Sequence, residues 1–543
     1  MEDNKCRPYS YHNFIFPFIW ENTDQKTNEK SIIEKYLKSN QYWHEIDLEN
    51  GNKEYLSKEE WVKLHARNEY FHLSFREAML GYNNKFKTEK RIVSIYEFAP
   101  DLIKNGAEYI ITKSYKAENK LAQKEYHLLL SGISLRIFNT GIAVLVLQCT
   151  NNQYSELQDI KWINDYGRRI SLPFIPTGKV EDCIANSICA DSLTVRIRGE
   201  EGQKDILNIT ESFAERIREI NLKNEFTMKD MQDQSCHICG WITGLLEGES
   251  RENSISDGHK NLFENMDIRP AMDERMYVMC LINSELECAK QRPEDMNKSQ
   301  QELLYELAFV DAGSCTCQSD HMRERLLQEC VYDRWMNYGT MYTITPQAFL
   351  CISNDLITQN SFQNMYLEMC VLPLVQRASL INFQDISLKL SKGLEQIGKA
   401  LNTDRIKDLM DLQERFIAFQ NQINLQEISS QEQAVDMYER LRKANFVEEL
   451  TDALERQLDA LYDATNTNQD YSFNKWALIL AVLALGLDIP TFLFRADGSL
   501  CFEASKLDLL TWLQQVGPHA AIFIMTGIVL VKIIRKFSRG KRK

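Results

Sequence analysis

The chain closes on two apolar runs, and these constrain its fold more than any other feature. Trp476–Leu487 is 12 uncharged residues, Asp488 interrupts, and Ile489–Phe494 adds six more. Val516–Val531 is 16 uncharged residues, extended past Lys532 by Ile533 and Ile534. Such runs must either be buried in protein or enter a bilayer. A helical span takes about 17 to 25 apolar residues, so each run falls short alone. Three features favour crossing. The runs are joined by the short segment Arg495–Gln515, Trp476 and Trp512 lie where interfacial aromatics would sit, and Lys532 can extend its charge to water from a helix end. The expectation is a two-helix transmembrane hairpin over residues 473–535. A buried helical hairpin within a globular domain is the competing reading.

Charge sets the expected orientation. Of the 543 residues, Lys532–Lys543 holds seven basic side chains and no acidic one, while the other 531 residues carry a net charge of −21. Positive charge stays on the cytoplasmic side, so the basic tail at 536–543 is expected inside. Two spans would then place the N-terminal body inside as well, giving a multi-pass inner-membrane protein with both termini cytoplasmic. Fourteen cysteines in so long a chain do not make a secreted disulfide scaffold, which agrees with a reducing compartment. The N-terminus Met1–Cys6 lacks a basic start followed by an apolar run, so no secretory signal is read there. An acidic body argues against direct nucleic-acid binding, because phosphates need a basic face.

The body, residues 1–360, reads as α/β or α+β. Phe14–Trp20 is a short strand or a buried plug. Leu135–Phe138 and Ile142–Leu147 flank Asn139-Thr140-Gly141 and read as a β-hairpin, mainly apolar on both arms and so covered on both faces. Arg275–Asn283 reads as another buried strand. From residue 361 to 472 the pattern turns helical, as a stalk with one proline, Pro373. Val447, Leu450, Leu454, Leu458 and Leu461 step by three or four residues, which predicts an amphipathic helix facing a partner helix.

A large body, a long helix leading into a first span, a short outer loop, a second span and a basic tail resemble the CorA-like family of two-span divalent-cation channels. Arg136–Val144 (RIFNTGIAV), Ile163–Ile170 (INDYGRRI), Asp273–Val278 (DERMYV) and Tyr332–Thr340 (YDRWMNYGT) are similar to divergent members with enlarged N-terminal domains. The resemblance implies a homo-oligomer, a pentamer in most of the family, in a lipid bilayer. The family's Gly-Met-Asn pore motif has its nearest equivalent in Gly486-Leu487-Asp488. Asp488 would then be the metal-facing residue, with Mg2+ as the implied cation. A carboxylate ring holds cations more strongly than an amide ring, and this departs from the family's magnesium selectivity. Some members of that branch are membrane effectors of type III CRISPR systems, opened by a nucleotide second messenger such as an adenylylated S-adenosylmethionine. The resemblance therefore implies a cation pore gated by a nucleotide, with a divalent-cation transporter as one alternative. A non-conducting membrane-anchored binding protein and an anchored enzyme are the others.

Asn164, Asp165, Tyr166, Arg168 and Arg169 form the most site-like cluster. Arginine forks suit phosphate and tyrosine can stack on a base, so a small anionic ligand is expected there. An arginine pair bridging acidic neighbours accounts for the same residues. Cys236, Cys239, Cys315 and Cys317 could make a four-thiolate zinc set, although no spacing rule joins the two pairs. Phosphate-loop, zinc-protease and serine-elbow motifs are absent, so no catalytic residues are expected.

Overall fold

The computed structural model describes residues 7–463 except 23–28, 47–57, 81–90, 118–119, 174–177, 200–204, 224, 226–237, 248–265, 314 and 393–402. Residues 1–6 and 464–543 lie outside the described residues.

Thirteen strands form one mixed sheet. They are β1 (Ser10–Asn22), β2 (Trp43–Glu45), β3 (Val93–Phe98), β4 (Ala107–Ala117), β5 (Lys120–Phe138), β6 (Ile142–Asn151), β7 (Ser192–Ile197), β8 (Leu207–Ser212), β9 (Met266–Pro270), β10 (Tyr277–Ile282), β11 (Val331–Tyr332), β12 (Met341–Ile344) and β13 (Ala348–Ile352). The main path runs β11-β12-β13-β10-β1-β6-β5-β4-β7-β8, with β10 and β13 its parallel pair. Strand β1 is central. It pairs with β6 from Ser10 to Ile19, with β10 from Ser10 to Ile15, and with β9 from Phe18 to Asn22. Pro17 falls where the β10 pairing ends and the β9 pairing begins, a place where a missing N–H costs little.

Strand alternation divides these side chains between two cores. Phe14, Phe16, Phe18 and Trp20 enter one, while Tyr11, Ile15 and Ile19 enter the other. Strand β10 divides likewise: Val278, Cys280 and Ile282 against Tyr277, Met279 and Leu281. A strand buried on both faces must be apolar at successive positions, which is why these segments show no polar alternation. The turn between β5 and β6 holds Gly141 at φ 86°, a left-handed conformation glycine adopts without penalty.

The helices needed below are α1 (Leu157–Gly167), α2 (Val180–Ala185), α3 (Phe213–Leu222), α4 (Leu367–Ser391), α5 (Thr403–Gln422) and α6 (Glu432–Ala444). Helix α1 packs on the first face, where Ile160 and Ile163 join Phe14. Helices α4, α5 and α6 cover the second. Leu372, Val375 and Phe383 of α4 meet Phe416 and Phe419 of α5 and Met437 and Leu441 of α6, over Ile15 and Val144 of the sheet. Val447, Leu454 and Leu458 join that core from the following helical stretch, residues 447–463. Two polar ties fix α4 in register. Arg136 of β5 forms a buried two-pronged pair with Glu368, and Ser379 donates to Thr140 in the hairpin turn at 2.8 Å.

These contacts correct the expected architecture. The helices after residue 360 do not stand apart as a stalk. Residues Met1–Ile397 and Thr403–Leu461 form one compact unit, and Gly398–Asn402 with Tyr462–Lys543 form a second. The buried apolar side chains of α4, α5 and α6 share one core with the sheet. The expected hairpin at 473–535 lies outside the described residues. Among the described residues no helix is long and apolar enough to cross a membrane. Among the described residues nothing upholds the transmembrane hairpin, the inner-membrane placement with both termini cytoplasmic, or the membrane-channel class. The physical reason is visible in the described helices themselves. The longest described helix, α4 with 25 residues, carries Glu368, Arg377, Asp385 and Lys389 and is largely buried on the sheet.

Candidate ligand site

The cluster singled out in the sequence sits at the end of α1 and is closed by its own partners. Asn164 accepts a 2.7 Å hydrogen bond at Oδ1 from Nδ1 of His12 on β1. The other ring nitrogen of His12 accepts from the Ser10 hydroxyl at 2.8 Å, and Ser10 accepts from Asn151 Nδ2 at 2.9 Å. This network assigns the neutral tautomer protonated at Nδ1, and burial lowers the His12 pKa to about 4. Asn164 is thus a strut between α1 and β1.

Asp165 receives Arg169 at 2.8 Å and Arg168 at 3.3 Å on the same oxygen. These are i,i+4 and i,i+3 pairs at a helix end, where cations also meet the helix dipole favourably. Arg168 is buried and donates as well to the Val310 carbonyl at 3.1 Å. Burial pulls its pKa down to about 10 against the raising influence of Asp165. The backbone of this turn is docked too: Met276 N–H donates to the Arg168 carbonyl at 2.7 Å, and Arg169 bridges Arg275. Arg275 itself pairs with Asp273 at 2.6 Å. Gly167 allows this close seat, since a Cβ there would lie 2.8 Å from Phe14 Cζ and 2.9 Å from Ile111 Cδ1. Tyr166 lies under the ammonium of Lys113, 5.1 Å from ring centroid to Nζ.

Lys113 leads to a different place. Its Nζ donates to the carbonyls of Ile184, Ser187 and Cys189 at 3.1, 2.7 and 3.0 Å. An ammonium has three N–H bonds, so all three are occupied. Burial lowers the Lys113 pKa to about 8. The lysine thereby fastens the segment between α2 and β7, and Asp191 lies two residues beyond Cys189. Asp191 is held in turn: its N–H donates to the Thr112 carbonyl at 2.7 Å, and its carbonyl accepts from Ala214 N–H at 3.0 Å.

Asp191 lines a cavity of about 400 Å³. Thr112, Ser114 and Gln123 from the β4–β5 pair, Val180, Glu181 and Ile184 from α2, and Arg218 from α3 share the wall. The Ser114 hydroxyl donates to Asp191 Oδ2 at 2.5 Å and Gln123 Nε2 reaches the same oxygen at 3.5 Å. Oδ1 is buried and has no hydrogen-bond donor. Asp191 as a whole is only 7% exposed, so water does not supply one freely. Buried polar atoms are nearly always paired, and an orphan on a cavity-lining residue is where a ligand or an ordered water can add a donor.

The predicted pore residues Gly486, Leu487 and Asp488 lie outside the described residues, as does Cys236 of the thiolate set. Cys239, Cys315 and Cys317 are buried free thiols. Cys239 is directed at the Ile170 carbonyl and Cys315 at the Cys317 carbonyl. Among the described residues no group of three His, Cys, Asp or Glu is placed to hold a metal ion. The sequence reading missed Asp191, Ser114, Gln123 and Arg218. Set against family models, curated proteins and solved structures, the chain matches none.

Proposed function

We propose that this chain is a ligand-binding sensor protein, and that its ligand is a small polar molecule seated in the cavity between the β4–β5 pair and helices α2 and α3. The unpaired Oδ1 of the buried Asp191 carries this reading. The volume lies within the usual range for small-molecule pockets, roughly 300 to 1,000 Å³. The wall combines hydroxyls and an amide with the apolar side chains of Leu121, Val180, Ile184 and Ala214, which suits a ligand with a polar end and a compact apolar part. Asp191 and Glu181 against the one cation Arg218 disfavour a multiply charged anion.

Sensing would work through the segment from α2 to β7. Lys113 holds its carbonyls from one side, and a ligand on Asp191 would hold it from the other. A ligand can shift such a segment only by binding one of its arrangements better. The test is a thermal-shift and calorimetric screen of the full chain against amino acids, nucleosides, sugars and amines. Binding by at least one probe, lost in Asp191→Asn, supports the reading. A screen with no binder, or binding untouched by Asp191→Asn, overturns it.

A further inference from the structure

The cavity's own chemistry narrows the ligand, on the reading above that the cavity binds one. We infer that the ligand is a zwitterion of the α-amino-acid type, its ammonium group on Asp191 and its carboxylate on Arg218.

The first step concerns what Asp191 lacks. A buried carboxylate is ordinarily met by a cation or by several strong donors. Asp191 has one hydroxyl and one long amide contact on Oδ2, both neutral, and nothing on Oδ1. The buried cation Lys113 attracts Asp191, but its three N–H bonds already point at the carbonyls of Ile184, Ser187 and Cys189. Turning one toward Asp191 would orphan a carbonyl. A donor from outside the protein would complete the set, and a charge-assisted N–H is the strongest of those available.

The second step concerns Arg218. It stands on α3, one turn beyond Ala214, and both residues line the cavity. Arg218 is exposed and makes no ion pair among the described residues. The fork geometry of arginine suits a carboxylate in two-pronged fashion. A ligand with only an ammonium would leave Arg218 unused and facing a like charge. A ligand with both groups answers both residues, and Leu121, Val180, Ile184 and Ala214 remain to take its side chain.

The experiment uses the full chain and calorimetry. The twenty common amino acids are screened first, followed by the analogues of the best binder that lack either the carboxylate or the amino group. Adenosine serves as a neutral polyhydroxyl probe. The expected result is an amino acid whose affinity falls about tenfold or more when its amino group is removed or when Asp191 becomes Asn. Arg218→Gln should weaken the amino acid by about tenfold while leaving the amine analogue's affinity unchanged. Arg218 is exposed, so this variant folds irrespective of how Asp191→Asn behaves. Adenosine binding that needs Asp191, with no amino acid bound, would overturn the inference and leave the cavity reading standing. Failure of every probe would overturn both.

Discussion

Two buried carboxylates act on Lys113, and they are treated in opposite ways. Asp165 is met by two guanidinium groups from its own helix end. Asp191 is met by a hydroxyl and an amide, with one oxygen unpaired. Lys113 feels both, and the attraction of Asp191 is the stronger of the two. The first carboxylate organises structure, and the second leaves a vacancy in its bonding. Residue type alone does not distinguish them, since both are aspartates close to basic side chains. What distinguishes them is whether the protein itself completes the set of donors.

The sharpest way to break this comparison is Asp165→Ala. It would strand Arg168, only 3% exposed, with one carbonyl partner, and would leave Arg169 without its carboxylate. Removing one partner of a buried ion pair costs about 3–5 kcal/mol. Urea denaturation should show a loss of that size. A loss below about 1 kcal/mol, the value of a surface pair, would mean that this cluster is solvated and not structural.

A second test reaches the same cluster through His12, whose bond to Asn164 ties α1 to the sheet. Burial lowers its pKa from the ordinary 6.5 to about 4. Between these values the unfolded chain takes up a proton that the folded chain refuses. Stability from this group is present above pH 6.5 and is lost as pH falls toward 4, by about 2–4 kcal/mol in all. The denaturation midpoint of His12→Asn should depend less steeply on pH than that of the unaltered chain in this window. Equal slopes would show that His12 is not buried in neutral form.

Gly167→Ala should cost less, about 1–3 kcal/mol, since the new Cβ would press on Phe14 and Ile111 and force them apart. Thermal unfolding measures this directly, and an unchanged midpoint would mean that α1 is free to shift off the sheet.

The same comparison shows what could be read in the chain beforehand. The Asp165 pairs follow helix spacing, so the bridging explanation for Arg168 and Arg169 was available from residues three and four apart. The β5–β6 hairpin was legible at Asn139–Gly141, because the turn glycine and the apolar arms lie within one short segment. Val447, Leu454 and Leu458 announced a buried helical stripe, yet period alone does not say what buries it. The sheet, assembled from strands hundreds of residues apart, does. Asp191 carried no signal. Its cavity is built from β4, β5, α2 and α3, and nothing in Cys189-Ala190-Asp191-Ser192 marks a binding residue. The apolar runs after residue 475 lie outside the described residues, and no described helix supplies a span of the kind they suggested.

The smallest stability effect belongs to Asp191→Asn, and its smallness is the point. The amide keeps the shape of the side chain, and its oxygen can still accept from Ser114. The change removes a buried carboxylate whose hydrogen-bond donors are both neutral, with Lys113 acting on it only through its field. Replacing a buried carboxylate that has only neutral donors by its neutral isostere should change the stability read from thermal unfolding by less than about 1 kcal/mol in either direction. Asp165→Ala would cost several times as much. If Asp191→Asn were instead the costly one, Asp191 would be a structural anchor like Asp165, and the vacancy on its carboxylate would lose its claim to be a binding site. A stable Asp191→Asn variant that no longer answers to ligand would separate holding the fold from reading a molecule.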